Sequence, residues 1–508
     1  MRVHLMSPET DFDPAVLEGT FANDAVQDLQ LDYLFDAMAA DDPFLRRIVR
    51  AATLQMVTDP RIIVYRQQAH SDAVRNRDVV AELYSIAVAA VNVRKGMYTF
   101  TLPNHPRREL EYAVTLLDAL AHHLDSIRLL VPQIEQRFES PAFLELAMRI
   151  STELDDEYME RLRGMLHDLD FSAGMLMSAS VGAGGTATGQ ILRKPAGSRR
   201  NIFNRVPLKR PQFSFVLPER DEAGADALSE LQERSVNEVA NAASQALDHV
   251  QSFFAALRIE LGFYVACNTL VDTLNALHCP LCTPDPSAEA STSTTGLYDP
   301  CLALRMGSEP VGNDLELGES KLLVITGANR GGKSTLLRAL GTAQLMMQAG
   351  MPVAAERFGA VPAGALFTHW AKEEDTALVH GKLDEELERM ERIVAAIAPG
   401  DLLLCNESFA STNEAEGSQI LLDVTQVLVK NLVQVRSVTH LYDFAISAIS
   451  STDLHAVSVR APRELTGQRS YRLRPGEPLE TSFGLDLYDQ AFGTNYANSV
   501  PQNEHDGT

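Results

Sequence analysis

Residues 327 to 334 read GANRGGKS and carry the groups that a protein needs to hold a chain of phosphates. Their spacing fits G-x-x-x-x-G-K-[ST], the pattern of a loop whose backbone N–H groups close around phosphates. In this pattern Lys333 reaches the β and γ phosphates, and Ser334 offers a hydroxyl to Mg²⁺. Such a loop requires a strand before it and a helix after it. The sequence KLLVITG predicts the strand, and the residues after the pattern predict the helix. We predict that the nucleotide is bound by Gly327, Asn329, Gly331, Gly332, Lys333, Ser334 and Thr335.

A second apolar run, LLLCNES at 402–408, predicts the strand that faces the metal of such a site. Nucleotide hydrolases end this strand with two acidic residues, whereas this chain has Asn406 followed by Glu407. Asn406 keeps a carbonyl oxygen that can accept from a magnesium-bound water, but it lacks the charge that helps to hold a hard dication. Glu407 is the candidate base that orients the attacking water. We therefore predict ATP and Mg²⁺ as cofactors, with Ser334 and Asn406 at the metal and slow hydrolysis.

His440 directly follows the strand-like VQVRSVT. A single histidine in this position is often structural. Ligands of parallel sheets, however, bind at the carboxyl ends of the strands, where His440 would contact the γ phosphate or the attacking water. We predict His440 and Glu407 as the two catalytic side chains.

The elements that must position these residues alternate between strand and helix. KSTLLRALGTAQLMMQAG predicts a helix and DLLLCNE a strand, which is typical of a parallel sheet with crossover helices. Residues 377–400 predict a further helix packed by one face, formed by Leu383, Leu387, Met390, Val394 and Ile397. The acidic run at 384–388 is interpreted as the solvated face of that helix.

The first part of the chain has a different pattern. Apolar residues recur at three- and four-residue intervals to about residue 170, and again from about 219, which predicts long amphipathic helices. Residues 171–218 are rich in Gly and Pro and predict a loop or a small β excursion. We predict a helical region at 1–296 that ends in a flexible joint of Pro, Ser and Thr, an α/β domain at 297–493 and a disordered tail at 494–508.

The net charge of −24 argues against a surface that coats nucleic acid indiscriminately, because phosphate binding depends on Lys and Arg displacing counterions. Residues 171–218 contain no acidic residue, so any DNA contact is expected there. Docking on the protein's own acidic helices and a passive loop remain alternatives. The basic residues of this segment are Arg193, Lys194, Arg199, Arg200, Arg205, Lys209 and Arg210.

The composition also bears on location and metals. The sequence has no apolar stretch of about 18 residues and no basic and apolar start typical of a secretory signal, so we expect a cytoplasmic protein without membrane contact.

Five cysteines in 508 residues are no disulfide framework. Cys279 and Cys282 in HCPLC could bind zinc with His278 and Cys301, although one C-x-x-C is more often a pair of buried thiols. Residues 182–189 resemble a phosphate loop only loosely and favour a linker.

Several ordered motifs together resemble one family, the MutS DNA mismatch-repair ATPases. LVITGANRGGKSTLLRALGTAQLMMQAGMPVAA at 323–355 is similar to the family's "ITGPNMGGKST" segment and the "VPA" after it. VTHLYDF at 438–444 resembles its "ATH" motif, and ETSFGLDLYDQAFG at 480–493 its terminal "SYGI" segment. GLYDPCLAL and VGNDLEL match more loosely, with Asp299-Pro300 where His-Pro is usual. The helical half resembles the family's core and lever domains in pattern.

The resemblance implies an ABC-type P-loop ATPase domain with a parallel-sheet core, preceded by a mainly α-helical core and lever region. It also implies a homodimer whose nucleotide site is completed by the partner subunit. Aligned without gaps, the partner-facing residues are Gly381, Lys382 and Thr412. Gly381-Lys382-Leu383 replaces the family's Ser-Thr-Phe, so this composite site is altered. The first 110 residues contain no Phe-x-Glu, and we expect no mismatch inspection of the usual kind.

Two functions follow as hypotheses. The first is a MutS-like ATPase that acts as a dimeric clamp or switch on DNA in repair, recombination or genome defence. The second is a nucleotide-gated protein-interaction switch with little turnover and no DNA binding. The order of the motifs and the basic segment favour the first hypothesis, whereas the net charge favours the second.

Overall fold

The first half of the chain is mainly helical. The computed structural model describes residues 1–15, 19–93, 105–171, 174–194, 216–218, 220–286, 292–371, 381–462 and 470–478. The helices of this half are α1 (Ala22–Leu29), α2 (Asp32–Ala39), α3 (Pro43–Leu54), α4 (Pro60–Arg75), α5 (Arg77–Asn92), α6 (Pro106–Arg137), α7 (Pro141–Glu153), α8 (Asp156–Asp168) and α9 (Glu222–Ala276). The tail predicted to be disordered lies outside the described residues.

Strands and helices alternate in the second half. Its strands are β3 (Ser293–Leu297), β4 (Asn313–Glu316), β5 (Leu322–Gly327), β6 (Arg357–Gly359), β7 (Leu366–Trp370), β8 (Leu402–Asn406), β9 (Gln434–Val438), β10 (Val457–Ala461) and β11 (Arg474–Pro475). Its helices are α10 (Pro300–Met306), α11 (Lys333–Ala349), α12 (Lys382–Ala396), α13 (Glu414–Lys430) and α14 (Tyr442–Ser450). The predicted α/β class after a mainly helical region is therefore confirmed.

The main sheet has six strands in the order β11-β10-β5-β9-β8-β7. All neighbouring strands are parallel except β11, which runs antiparallel to β10. Parallel strands covered by helices on their faces are apolar throughout, and β5 and β8 have almost continuously buried residues. A smaller antiparallel sheet has the order β4-β3-β6. The carboxyl ends of β5, β8 and β9 therefore lie side by side at one edge of the main sheet.

The contacts divide the chain into two compact units. One consists of residues Met1–Leu5, Asn76–Glu139 and Phe143–Leu261, and the other of Met6–Arg75, Ser140–Ala142 and Gly262–Thr508. Helices α1 to α4 therefore belong to the same unit as the main sheet. The boundary predicted at residue 296 follows a change in sequence pattern. The packing instead places residues 6–75 in the same unit as residues 262–508.

The first unit carries a β-hairpin between two helices. Strand β1 (Met177–Val181) pairs antiparallel with β2 (Ala187–Leu192), with an irregular register between Ser178 and Ser180. This hairpin is the small β excursion that the Gly-rich sequence indicated. Arg193 and Lys194 follow it directly: the Arg193 guanidinium donates to the Ser178 hydroxyl, and Lys194 forms an ion pair with Asp168. The five other basic residues of the segment lie outside the described residues.

Helix α9 runs through 55 residues. It is the one helix in the described part of the chain that is long and apolar enough to cross a membrane, and 67% of its most apolar window is buried in the protein. Burial of this kind also occurs in core helices of proteins that do not enter membranes, so length and composition alone do not indicate a membrane span.

The first helices pack directly on the main sheet. The ring of Phe21 lies 5.0 Å from that of Phe367 on β7. Asp28 on α1 accepts hydrogen bonds from the Thr368 hydroxyl (2.6 Å) and from Arg389 on α12 (2.8 Å). The Arg338 guanidinium on α11 donates to the backbone carbonyl of Asp28. Helix α1 therefore packs against the main sheet and its helices within one unit.

The buried face of α12 differs from the predicted one. Met390 is buried as expected, but Leu387 and Val394 are 39% and 41% exposed. Ile393 and Arg389 occupy the buried face instead. Arg389 can be buried because two carbonyls and the Asp28 carboxylate accept from its guanidinium.

The acidic run on α12 is only partly a solvated face. The side chains of Asp384, Glu385 and Glu388 are exposed, whereas Glu386 is half-buried. Burial raises the pKa of Glu386, and its Oε2 is buried without a hydrogen-bond partner among the described residues. The expectation of solvation is therefore wrong for Glu386.

Candidate functional site

The glycine-rich loop lies between β5 and α11, at the carboxyl edge of the main sheet. Gly327 ends the strand with φ of 106°, and a Cβ there would lie 2.5 Å from the carbonyl oxygen of Ala461 on β10. Gly332 immediately before the helix has φ of 92°. Both conformations favour glycine strongly because side chains with a Cβ are strained there. The glycines therefore allow the chain to turn sharply and to begin α11 at Lys333.

Lys333 lies inside this loop. Its ammonium donates to the carbonyls of Gly327 (3.0 Å) and Ala328 (3.1 Å), and the residue is 5% exposed. Ser334 and Thr335 follow in the first turn of α11. The unpaired N–H groups of a helix start and a nearby ammonium together attract anions, so this arrangement suits a phosphate chain.

Glu407 and His440 meet at the same edge. Glu407 follows β8, His440 follows β9, and Nε2 of His440 lies 3.1 Å from Oε1 of Glu407. This hydrogen bond is the main cause that lowers the pKa of Glu407, and the charges of His440 and Lys333 lower it further. Burial acts in the opposite direction but is the smaller effect. The carboxylate therefore stays ionised near neutral pH and remains an acceptor for a water proton. Two residues predicted from separate motifs are brought together.

The neighbouring Asn406 has an unused acceptor. Its side-chain oxygen Oδ1 is buried and has no hydrogen-bond partner among the described residues. Buried polar atoms are normally paired, and an orphaned acceptor in the residue before Glu407 fits a bound water or cation. An amide oxygen is a ligand type that Mg²⁺ accepts, as is the Ser334 hydroxyl. The donor set thus fits a weakly held magnesium ion.

A cavity of about 490 Å³ opens beside the loop. Its lining includes residues 329–335 and Glu407. The other lining residues are mainly apolar: Leu302, Met306, Pro310 and Val311, with Glu309, Asn313 and Tyr471. A cavity that combines polar groups with an apolar wall suits a nucleotide with a flat base.

Two residues of this cavity were not predicted from the sequence. The amide of Asn313 on β4 donates to the Tyr471 carbonyl (3.2 Å), and its oxygen accepts from the Leu473 N–H (2.7 Å). These bonds hold the segment that contains Tyr471 against the loop. Asn313 lies in the weakly matching VGNDLEL, whereas nothing in the local sequence distinguishes Tyr471. Asp299, where the family has His, caps α10 by accepting from two backbone N–H groups, and Pro300 begins the helix.

The residues predicted to face a partner subunit lie in the same unit, with Gly381 and Lys382 exposed and Thr412 partly buried. Gly381 is the N-cap of α12 and Lys382 is its first residue. The Thr412 hydroxyl donates to the Glu416 carboxylate (2.6 Å), which lies in the first turn of α13. The assignment of these residues to a partner site remains a prediction.

The cysteines do not form a cluster of metal ligands. All five thiols are free, and among the described residues no group of three or more His, Cys, Asp or Glu could hold a metal ion. Burial raises the pKa of Cys282 to about 11 and also raises that of Cys279, so both are protonated near neutral pH. Buried thiols are therefore the better interpretation of HCPLC.

Comparison with known proteins agrees with the order of the motifs. The MutS2 N-terminal domain matches residues 58–277, and MutS domain V matches residues 323–495. The chain belongs to the MutS family. The glycine-rich loop, Glu407 and His440 all lie within the match to MutS domain V, and the basic segment lies within the match to the MutS2 N-terminal domain.

Individual members of the MutS family show the same relationship over shorter stretches. Endonuclease MutS2 of Streptococcus agalactiae serotype Ia is 28% identical over 200 residues, which is 38% of this chain and 24% of that protein. Endonuclease MutS2 of Streptococcus thermophilus (strain LMD-9) is 30% identical over 174 residues, or 33% and 22% of the two chains. Endonuclease MutS2 of Streptococcus pyogenes serotype M5 is 30% identical over 176 residues, or 34% and 22%. The match spans about a quarter of the length of these relatives.

Proposed function

We propose that this MutS-family chain is a cytoplasmic ATPase of low turnover, which works as an ATP-driven homodimeric clamp or switch on DNA. Its roles would be in repair, recombination or genome defence, without direct mismatch recognition. The observation that carries the ATPase proposal is the meeting of Lys333, Ser334 and Glu407 around one cavity. Lys333 and Ser334 begin α11 and Glu407 follows β8, and each has the chemistry that one step of nucleotide hydrolysis needs.

In this proposal the loop binds the phosphates and the apolar wall receives the base. Lys333 would exchange its bonds to the carbonyls of Gly327 and Ala328 for phosphate oxygens, which are stronger acceptors because they are charged. The magnesium ion would be held by the Ser334 hydroxyl and, through water, by Asn406. It would neutralise charge on the transferring phosphoryl group.

Glu407 orients the attacking water. Because its pKa is lowered, Glu407 is a weak base, and its contribution is to position a water molecule rather than to take a proton early. Phosphoryl transfer has a loose transition state in which positioning and charge stabilisation dominate, so a weak base suffices. His440 holds the carboxylate in place through its 3.1 Å contact.

The first experiment tests nucleotide binding. Lys333→Ala should abolish thermal stabilisation by ATP, which amounts to about 2.7 kcal/mol at 100 times the dissociation constant. Lys430→Ala, a change of the same type on the exposed end of α13, should leave the stabilisation intact. Unchanged stabilisation in Lys333→Ala would contradict the assignment of the loop.

The second experiment tests turnover. Phosphate release should be measurable in the wild type at saturating Mg²⁺ and lost in Glu407→Gln, which should still bind ATP. Glu414→Gln makes the same change at the first residue of α13 and serves as the matched control. Equal inactivity of the wild type and Glu407→Gln would replace the ATPase proposal by a binding switch without turnover.

The DNA proposal is supported by the family and by the segment free of acidic residues at 171–218. A second candidate, a nucleotide-gated protein-interaction switch, is favoured by the net charge of −24 and by Asn406. Binding to duplex, single-stranded and branched DNA at two salt concentrations, with and without ATP, separates the two. Affinity that falls with salt supports phosphate contacts, whereas no binding at low salt favours the second candidate.

A further inference from the structure

The loop that carries Glu407 has an unusual backbone. Glu407 has φ of 57° and Phe409 has φ of 60°. Residues with a Cβ adopt this left-handed conformation only where surrounding contacts enforce it. The contacts that hold residues 408–411 therefore determine where the Glu407 carboxylate points.

One buried side chain outside the predicted site connects this loop to α12. The ring of His369 on β7 lies between α12 and the loop: its Nε2 is 3.0 Å from the Glu386 carbonyl, and its Nδ1 is 2.7 Å from the Ser408 hydroxyl. His369 is fully buried and Ser408 is 1% exposed.

The direction of each hydrogen bond follows from its partners. A carbonyl oxygen can only accept, so Nε2 of His369 carries the proton and donates to Glu386. Nδ1 is then an acceptor, and the Ser408 hydroxyl donates to it. The His369 ring also packs against the Phe409 ring, with centroids 5.5 Å apart. The histidine thus connects the residue directly after Glu407 to the backbone of α12.

We infer that His369 is a positioning residue through which helix α12 sets the geometry of Glu407, an inference that rests on the proposed hydrolysis of ATP. Glu386, whose backbone carbonyl accepts from His369, lies one helical turn after Lys382, the first residue of α12. A displacement at the start of α12 therefore moves the carbonyl that fixes the His369 ring. Hydrolysis is thereby linked to the position of a helix that does not itself supply a reacting group.

The test removes the hydroxyl that donates to His369. In Ser408→Ala the rate constant kcat for ATP hydrolysis should fall about tenfold or more, which equals ~1.4 kcal/mol of barrier per factor of ten. KM and the ATP-induced rise in Tm should stay unchanged, because the phosphate loop is not altered. Ser450→Ala, the same change at the exposed end of α14, should keep wild-type kcat.

A second variant makes the result independent of how well Ser408→Ala folds. His369→Asn has a shorter side chain that cannot reach both Ser408 and the Glu386 carbonyl, and it should also lower kcat without changing KM. Equal kcat in Ser408→Ala and Ser450→Ala, or an unchanged kcat in His369→Asn, would overturn the inference. So would a fall in kcat that is matched by loss of ATP-induced stabilisation, because general damage to the fold would explain it. A wild type without turnover would overturn both the ATPase proposal and this inference, whereas an active wild type with insensitive variants would overturn the inference alone.

Discussion

Removal of the Asp28 carboxylate should destabilise the unit that contains the main sheet. Asp28 faces Arg389, which is 5% exposed, and the two side chains meet at 2.8 Å. Burial raises the pKa of Asp28, although the Thr368 hydrogen bond and Arg389 act in the opposite direction. The ion pair therefore stabilises the fold little more than an apolar pair would. Loss of one partner, however, leaves a buried unpaired charge, which costs about 3–5 kcal/mol of unfolding free energy. We expect this loss of unfolding free energy for Asp28→Ala.

A neighbouring aspartate on the same helix gives the matched control. Asp24 lies 3.5 Å from Arg389 and its side chain is 33% exposed, so Asp24→Ala should cost at most about 1 kcal/mol. The double variant Asp28→Leu with Arg389→Met should cost clearly less than the sum of the two single changes, because it leaves no unpaired charge.

Urea unfolding followed by tryptophan fluorescence is a suitable assay for these variants. Trp370 is the single tryptophan of the chain, and its backbone carbonyl accepts from Arg389. Its emission therefore reports on the environment of the pair. If Asp28→Ala and Asp24→Ala lose the same free energy, burial of the Arg389 charge is not the source of the effect and the reasoning fails.

Three further outcomes are expected. Asn406→Asp should lower the Mg²⁺ concentration that gives half-maximal phosphate release, because the added charge holds the dication more tightly; an unchanged requirement would remove Asn406 from the metal site. ATP added to Glu407→Gln should trap a closed dimer, and one monomeric mass by sedimentation with and without ATP would reject it. Burial lowers the pKa of His369 from 6.5 to about 4, so the unfolded chain binds more protons between these pH values and stability falls as the pH drops through them. Between pH 7 and pH 5 the loss is about 2 kcal/mol; His369→Gln should lack this contribution in denaturant titrations at the two pH values, and an identical pH dependence would contradict it.

The sequence by itself determined the elements whose signals are local. The strand, loop and helix around Lys333 follow from the spacing of glycines, an apolar run and a helical run within about 30 residues. Glu407 and His440 were found because each follows an apolar strand, and parallel strands bring their carboxyl ends to one edge. The structure places these two side chains 3.1 Å apart, as expected for neighbouring strand ends.

The tertiary structure alone decided which faces are buried and what holds the loop. The prediction for α12 placed Leu387 and Val394 inward, because apolar periodicity cannot include a buried arginine. The partner that makes Arg389 burial possible, Asp28, is 361 residues away, so no window of sequence contains both. His369 and Ser408 are 39 residues apart and are joined only because β7 and β8 pair in parallel. Such contacts depend on strand order and helix rotation, which are set by the packing of the whole unit and not by residue type.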